Sequence, residues 1–122
     1  MNKKDLIRKI IYLPKLHIEQ NISICDFLKK IGYFEFHTQV SEKDIENFLA
    51  TNPECIELWL QYSDDQRVVE TWYFLKSTEG SYKVAHHGKA GTDSLHEFSN
   101  LDKACAFFIK KILEDLRRIC SS

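Results

Sequence analysis

The sequence predicts an α+β fold: a helical N-terminal half, a small antiparallel sheet of about three strands, and a long C-terminal helix packed on that sheet. Three observations predict it. Apolar residues recur at steps of three and four, behind capping residues, through the first half of the chain. Alternating β-branched and aromatic residues then mark the strands. One apolar stripe at helical spacing runs from residue 101 to residue 119.

Capping residues mark the first two helices. Asn2 is placed to cap a helix that Pro14 ends, because the residue before a proline disfavours helical backbone. Ser23 opens a second helix with a pattern like a capping box, and Gly32 ends it. The alternating aromatic segment 33–37 predicts a short edge strand or a packed loop.

Two further helices are predicted before the sheet. Ser41 and Asp44 form a capping pattern for the first. Pro53, which is favourable at a first helical position, starts the second, and this helix reaches about Tyr62. Helical spacing predicts that the two helices turn inward Ile45, Phe48, Leu49, Ile56, Trp59 and Leu60.

The second half of the chain changes to a strand pattern. We predict three strands, at residues 69–76, 81–87 and 95–98. The first is apolar on both faces, since Trp72 and Tyr73 must point to opposite sides. We therefore expect it to be a central strand that is covered on both faces.

The C-terminal helix is the clearest element. The segment 99–102 caps it, and Glu114 stands four residues before Arg118, where the two side chains are expected to pair. Its apolar stripe consists of Leu101, Cys105, Phe108, Ile112, Leu116 and Ile119.

Length and composition indicate a single folded domain over residues 1–122. Hydrophobic residues make up 43% of the chain and charged residues 29%, which is typical of a globular protein and not of a disordered one. No apolar run approaches the roughly 20 residues of a membrane span. Arg8 and Lys9 interrupt the apolar N-terminal segment, which therefore does not resemble a secretion signal. We expect a cytoplasmic protein.

The cysteine spacing agrees with that expectation. No C-x-x-C pattern occurs, which argues against a zinc site, and most of the cysteines stand among apolar residues at helical spacing. We therefore predict that all four are reduced: Cys25, Cys55, Cys105 and Cys120.

The candidate catalytic and metal-binding residues are few. His86 and His87 are adjacent in a strand, so their side chains point to opposite faces and cannot hold one ion together. The segment 88–91 lacks the spacing of a phosphate-binding loop and is predicted to be an ordinary loop. Asp64 and Asp65 could hold Mg²⁺ together with another carboxylate, but two aspartates after a helix more often form a solvated turn. We predict no metal and no cofactor.

Charge is distributed unevenly along the chain. Residues 1–33 carry seven basic and three acidic side chains, a net charge of +4, whereas residues 41–70 carry two basic and eight acidic ones, a net charge of −6. One acidic patch favours a basic partner and repels nucleic-acid phosphates. The predicted partner-binding residues are Glu42, Glu46, Glu54, Glu57, Asp64 and Asp65.

Segments 52–67, 72–74 and 104–109 resemble immunity proteins of bacterial polymorphic toxin systems, in particular those of contact-dependent growth inhibition. The resemblance covers mainly residues 41–118. It implies a cytoplasmic, non-enzymatic protein that binds the C-terminal toxin domain of a sister cell and blocks its active site. Such toxins are often nucleases with basic substrate clefts. No functional residue is carried over by motif, so the site prediction rests on charge and exposure.

Two other classes of function stay open. One is an adaptor or regulatory module whose partner is not a toxin. The other is a small metal-dependent hydrolase that uses Asp64, Asp65, Glu70 or a histidine.

Overall fold

The computed structural model describes residues 2–66, 70–77 and 79–120. Within these residues, seven α-helices accompany one three-stranded antiparallel sheet, which confirms the predicted α+β fold. In chain order the elements are α1 (Lys3–Ile11), α2 (Leu13–Glu19), α3 (Ile24–Ile31), α4 (Tyr33–Phe36), α5 (Glu42–Thr51), α6 (Glu54–Asp65), β1 (Thr71–Lys76), β2 (Tyr82–Gly88), β3 (Gly91–Phe98) and α7 (Leu101–Cys120).

The N-terminal helices depart from the prediction at Pro14. α1 begins as predicted, because the Asn2 side chain accepts a hydrogen bond from the backbone N–H of Asp5 at 3.2 Å. Pro14, however, lies in the first turn of α2, a helix that was not predicted. Proline is tolerated there because the first N–H groups of a helix have no partner within it. Pro14 therefore starts a helix as well as following the end of one.

The segment 33–37 is helical, so the predicted edge strand or loop is wrong. Ser23 caps α3, and Gly32 ends it with a left-handed backbone at φ 89°, as predicted. The carbonyl of Gly32 then accepts a hydrogen bond from Phe36 at 3.0 Å, which closes the single turn of α4. A 3-10 turn (His37–Gln39) follows. Tyr33 is fully buried, so packing decides the backbone here.

The next two helices confirm the predicted caps but change the role of the two aspartates. Ser41 and Asp44 form a reciprocal capping box at the start of α5. α6 starts after Pro53 and extends to Asp65, beyond the predicted end near Tyr62. Asp64 and Asp65, which were expected to form a solvated turn, therefore lie in the last turn of α6.

The strand order is β1-β2-β3, so the prediction that the first strand is central is wrong. The predicted start at residue 69 lies outside the described residues, and β1 begins at Thr71. Phe74 is buried beneath α7, whereas Leu75 is 44% exposed on the other face. β3 begins at Gly91, earlier than predicted, and a short turn links it to β2 where a loop was expected.

The outer edge of β1 is covered by the end of α6. The buried hydroxyl of Ser63 accepts a hydrogen bond from the backbone N–H of Phe74 at 2.9 Å. The side-chain amide of Gln66 donates to the carbonyl of Trp72 at 2.8 Å. These bonds occupy backbone groups that an edge strand would otherwise leave exposed.

The hydrophobic core joins the helices to the sheet around Trp59. Its indole N–H donates to the carbonyl of Ile11 at 2.8 Å, and its ring meets Phe108 of α7 edge-on, with 6.2 Å between centroids. Phe108 in turn lies 5.6 Å from the ring of Phe74. α7 is buried along the centre of its predicted stripe, but Ile119 near its end is 68% exposed.

The prediction of four reduced cysteines is wrong. Cys25, in the first turn of α3, forms a disulfide with Cys120 at the end of α7, and their Cα atoms are 5.5 Å apart. Cys55 and Cys105 are free and buried, as small apolar residues are. The paired cysteines are 95 residues apart in sequence, so only the meeting of α3 and α7 brings them together.

Candidate partner-binding site

The most exposed acidic surface of the predicted site lies on α6. Glu54, Glu57, Asp64 and Asp65 are all exposed, and we call these four residues the acidic stripe. The opposite side of α6 is buried. Its side chains follow the helical period and consist of Cys55, Ile56, Trp59 and Ser63. The sequence prediction of an exposed acidic face on this helix is confirmed.

The acidic stripe is only weakly compensated by neighbouring charges. Glu57 lies 3.6 Å from the ammonium group of Lys76, and its own side chain remains 76% exposed. Among the described residues, Glu54, Asp64 and Asp65 form no salt bridge. Asp64 and Asp65 also occupy the C-terminal turn of α6, which contains no basic residue. Carboxylates are unfavourable at this end of a helix, by about 0.3–1 kcal/mol each, because the helix dipole is negative there.

Of the two predicted residues on α5, Glu46 has a salt bridge to a described residue and Glu42 does not. Glu42 is exposed, whereas the side chain of Glu46 is only 19% exposed and lies 3.6 Å from Lys43. The neighbouring carboxylate of Asp44 accepts the backbone N–H of Ser41 and pairs with Lys3 at 3.1 Å. The Ser41 N–H, followed by Lys3, holds the pKa of Asp44 below its ordinary value even though partial burial opposes this. Of the six predicted residues, the exposed ones without a salt bridge to a described residue are therefore Glu54, Asp64 and Asp65 on α6 and Glu42 on α5.

A groove between α2 and α6 was missed by the sequence prediction. It adjoins the acidic stripe through Asp65, and Ile18 forms part of its wall. The helical spacing of Pro14, His17 and Ile18 was the available signal, but its use required recognising Pro14 as the start of a helix.

The two adjacent histidines lie on opposite faces of the sheet. The Nδ1 of His86 lies 2.8 Å from a carboxylate oxygen of Asp93, and its ring is 5.1 Å from that of Trp72. His87 packs against Tyr73 on the other face, with 4.8 Å between ring centroids. A shallow cavity of about 420 Å³ beside His86 is lined by Glu70, His86, Asp115, Arg118 and Ile119.

The His86–Asp93 pair has the geometry of an oriented base. The hydroxyl of Ser94 contacts Nε2 of His96, at 3.2 Å. In the part of the chain that the structure describes, no group of three or more His, Cys, Asp or Glu side chains is placed to hold a metal ion, and this includes Asp64, Asp65 and Glu70.

The aromatic rings around His86 form a packed surface cluster. Trp72 and Phe107 meet edge-on with 5.9 Å between centroids, and the ammonium group of Lys111 lies 5.5 Å and 5.2 Å from their respective ring centres. Cation–π contacts of this kind contribute about 0.5–1 kcal/mol at exposed sites. They account for the position of Lys111 without any catalytic role.

Glu114 forms the centre of a polar network between α4 and α7. It accepts a hydrogen bond from the Tyr33 hydroxyl at 2.7 Å and pairs with Arg117 at 3.2 Å, not with Arg118 as predicted. Lys110 donates to the Tyr33 hydroxyl at 3.1 Å. Partial burial raises the pKa of Glu114, but the Tyr33 and Arg117 hydrogen bonds and the nearby positive charges outweigh it, so the net pKa is lowered. This carboxylate therefore stabilises the fold through partners inside the protein.

Comparison with known proteins found no matching family model, no match among curated proteins and no match among solved structures. Within the described residues, none of the helices combines the length and the apolar character that a membrane crossing requires.

Proposed function

We propose that this protein is an immunity protein that binds a cognate toxin domain, a nuclease, and blocks its active site. One observation carries the proposal. The acidic stripe places four exposed carboxylates on one helix, and two of them stand at the helix end where they destabilise it. A local cost to stability of this kind is expected where a surface serves a partner.

A nuclease cleft is a suitable partner for such a surface. The cleft binds phosphates and is therefore basic, so its attraction to the acidic stripe accelerates encounter and orients the two proteins. The docked protein then excludes the nucleic-acid substrate by occupying the cleft. In this proposal the protein itself performs no catalysis, uses no cofactor or metal, and does not bind nucleic acid, because phosphates are repelled by the same carboxylates.

The proposal also places the protein in the cytoplasm, where such a toxin acts. The disulfide between Cys25 and Cys120 argues against this part, because thiol buffers keep most cytosolic cysteines reduced. The proposal therefore requires the fold and the acidic stripe to persist after reduction of that bond.

Two other functions stay open. An adaptor or regulatory module would use the same acidic stripe with a basic partner that is not a toxin. A small hydrolase would use His86, which Asp93 orients at 2.8 Å beside an open cavity. Turnover of a phosphodiester or ester substrate by the purified protein would favour the hydrolase.

Co-expression tests the proposal directly. The full chain is co-purified with the C-terminal domain encoded immediately upstream, and the nuclease activity of that domain is measured with and without the bound protein. A stable complex in which nuclease activity is lost supports the immunity function. Active, unbound upstream domain in the presence of excess folded protein would refute it.

A further inference from the structure

The groove between α2 and α6 has a volume of about 280 Å³. Both helices contribute side chains spaced three and four residues apart, so each turns one face into the same groove. α2 contributes Pro14, His17 and Ile18, and α6 contributes Leu58, Gln61, Tyr62 and Asp65.

Ile18 gives the groove an exposed apolar wall. Ile18 is 69% exposed, although a large apolar side chain is normally more stable when it is buried. A second cavity, of about 350 Å³, is also lined by Ile18 and His17, so the two hollows adjoin along α2. Both volumes lie near the lower end of the roughly 300–1,000 Å³ range of small-molecule pockets. Adjoining shallow hollows suit a polypeptide segment better than a compact ligand.

The charge at the rim indicates the chemistry of that segment. Asp65 lines the groove, Asp64 precedes it in the acidic stripe, and neither forms a salt bridge to another described residue. Both stand at the C-terminal end of α6, where the helix dipole adds partial negative charge. A Lys or Arg beside the groove would relieve this unfavourable arrangement.

The same charge argues against a second copy of this chain as the occupant. A two-fold contact places the same surface of each copy against the other, which would bring two acidic stripes together. Like charges placed opposite each other at an interface strongly disfavour association. The charge of the acidic stripe therefore favours a different and basic chain as the occupant.

We propose that the α2–α6 groove takes one aliphatic or aromatic side chain of a basic polypeptide, while a neighbouring Lys or Arg of that polypeptide pairs with Asp65 or Asp64. The inference rests on the proposed function and deepens it. Exposed rim charges mainly set the association rate, whereas a buried anchor residue dominates affinity. The acidic stripe attracts the toxin domain, and the groove around Ile18 holds it.

A peptide titration tests the groove without any toxin. The probe is a synthetic pentapeptide with a central phenylalanine flanked by two arginines on each side, and backbone amide shifts of the full chain are followed by NMR. We expect shifts in residues 15–18 and 58–65. A matched peptide with central glycine keeps the charge but lacks the anchor, and should bind about tenfold more weakly.

The substitution Ile18→Glu separates anchoring from charge attraction. It adds a negative charge, so binding by charge alone would strengthen, whereas loss of the apolar wall should weaken binding of the phenylalanine peptide about tenfold. Leu95→Glu is the matched control, because Leu95 is also a large apolar residue, 53% exposed, but lies on β3. It should leave peptide binding unchanged.

The same two variants are then compared for binding to the upstream toxin domain. Loss with Ile18→Glu and not with Leu95→Glu supports the groove as the toxin anchor. Toxin binding that Ile18→Glu leaves unchanged overturns the groove proposal and leaves the immunity function standing. Specific peptide binding without toxin binding supports the groove and removes the immunity function. Equal shifts from the phenylalanine and glycine peptides, or tighter peptide binding by Ile18→Glu, overturn the groove proposal.

Discussion

The carboxylate of Glu114 and those of the acidic stripe differ in burial and in the number of charged partners. Glu114 is half-buried and receives a hydrogen bond from Tyr33 and an ion pair from Arg117. In the acidic stripe, Asp64 is exposed and forms no salt bridge to another described residue. The partners of Glu114 lie within the protein, so its charge stabilises the fold. The charge of Asp64 remains available to a binding partner, at a helix end where the helix dipole disfavours a carboxylate. The contrast separates carboxylates that stabilise the domain from those available to a partner.

The largest expected effect is on partner binding. Reversal of Glu54, Glu57 and Asp64 to Lys should lower affinity for the upstream toxin domain by about two orders of magnitude or more, because a basic cleft would then face positive charge. The salt dependence of association should also flatten. Binding is measured for both proteins across a salt series. The triple reversal of Glu35, Glu79 and Glu97, which are exposed elsewhere, makes the same change in net charge and should have little effect. Equal losses in the two triple variants would contradict the site.

The second expected effect concerns the disulfide that joins α3 to α7. Cys25→Ser should lower the free energy of unfolding by about 2–4 kcal/mol, because the disulfide closes a long loop. Toxin binding should be retained, since the acidic stripe lies on α6. Urea unfolding with and without reductant measures the effect. Thiol titration of the denatured, unreduced protein should find two free thiols, those of Cys55 and Cys105. Four would show that the disulfide does not form.

The comparison itself is tested by two neutralising substitutions. Glu114→Gln should destabilise the domain by about 1–3 kcal/mol, because it weakens the partly buried bonds to Tyr33 and Arg117. Asp64→Asn removes the same charge from the end of α6 and should leave stability unchanged or raise it by a few tenths of a kcal/mol. Chemical denaturation of both variants shows whether each substitution lowers or raises the free energy of unfolding. Equal destabilisation by both would remove the distinction.

The pH dependence of stability should carry a contribution from Glu114. Its folded pKa lies below the ordinary value of 4.5, so its contribution is fully present above about pH 4.5 and is lost as pH falls through the folded pKa. Asp44 acts in the same direction at the capping box of α5. Unfolding midpoints are measured from pH 7 downward. They should decrease once the pH is below about 4.5, and the decrease should be less steep for Glu114→Gln than for the unsubstituted protein. Parallel pH profiles for the two proteins would exclude a role for Glu114.

The smallest expected effect on neutralisation comes from the histidines. Replacing His86 and His87 together with Ala removes ring contacts to Trp72 and Tyr73 and should cost some stability. Inhibition of the toxin should nevertheless persist, because neither residue belongs to the acidic stripe. A folded double variant that no longer inhibits would favour the hydrolase.

Much of the candidate site could be predicted because exposure on a helix follows its period. The buried positions Cys55, Ile56 and Trp59 leave Glu54 and Glu57 on the solvent side. The groove could not be predicted in the same way. It exists because α2 lies beside α6. The sequence separation between Ile18 and Leu58 does not indicate that these two residues lie close together.

The sequence by itself determined the features that depend on residues three or four positions apart. The caps at Asn2, Ser23 and Ser41 and the left-handed end at Gly32 were predicted correctly, because each involves only its own turn of backbone. The amphipathic face of α7 was predicted correctly for the same reason at Cys105, Phe108 and Ile112, whereas Ile119 at the end of the predicted stripe is exposed.

Only the tertiary structure decided the features that join distant residues. Tyr33 meets Glu114 across 81 residues, and Cys25 meets Cys120 across 95. The aromatic residues of β1 predicted a central strand, but the end of α6 covers its edge through Ser63. In each case the local pattern permits several arrangements of similar energy, and burial against a distant element selects one of them.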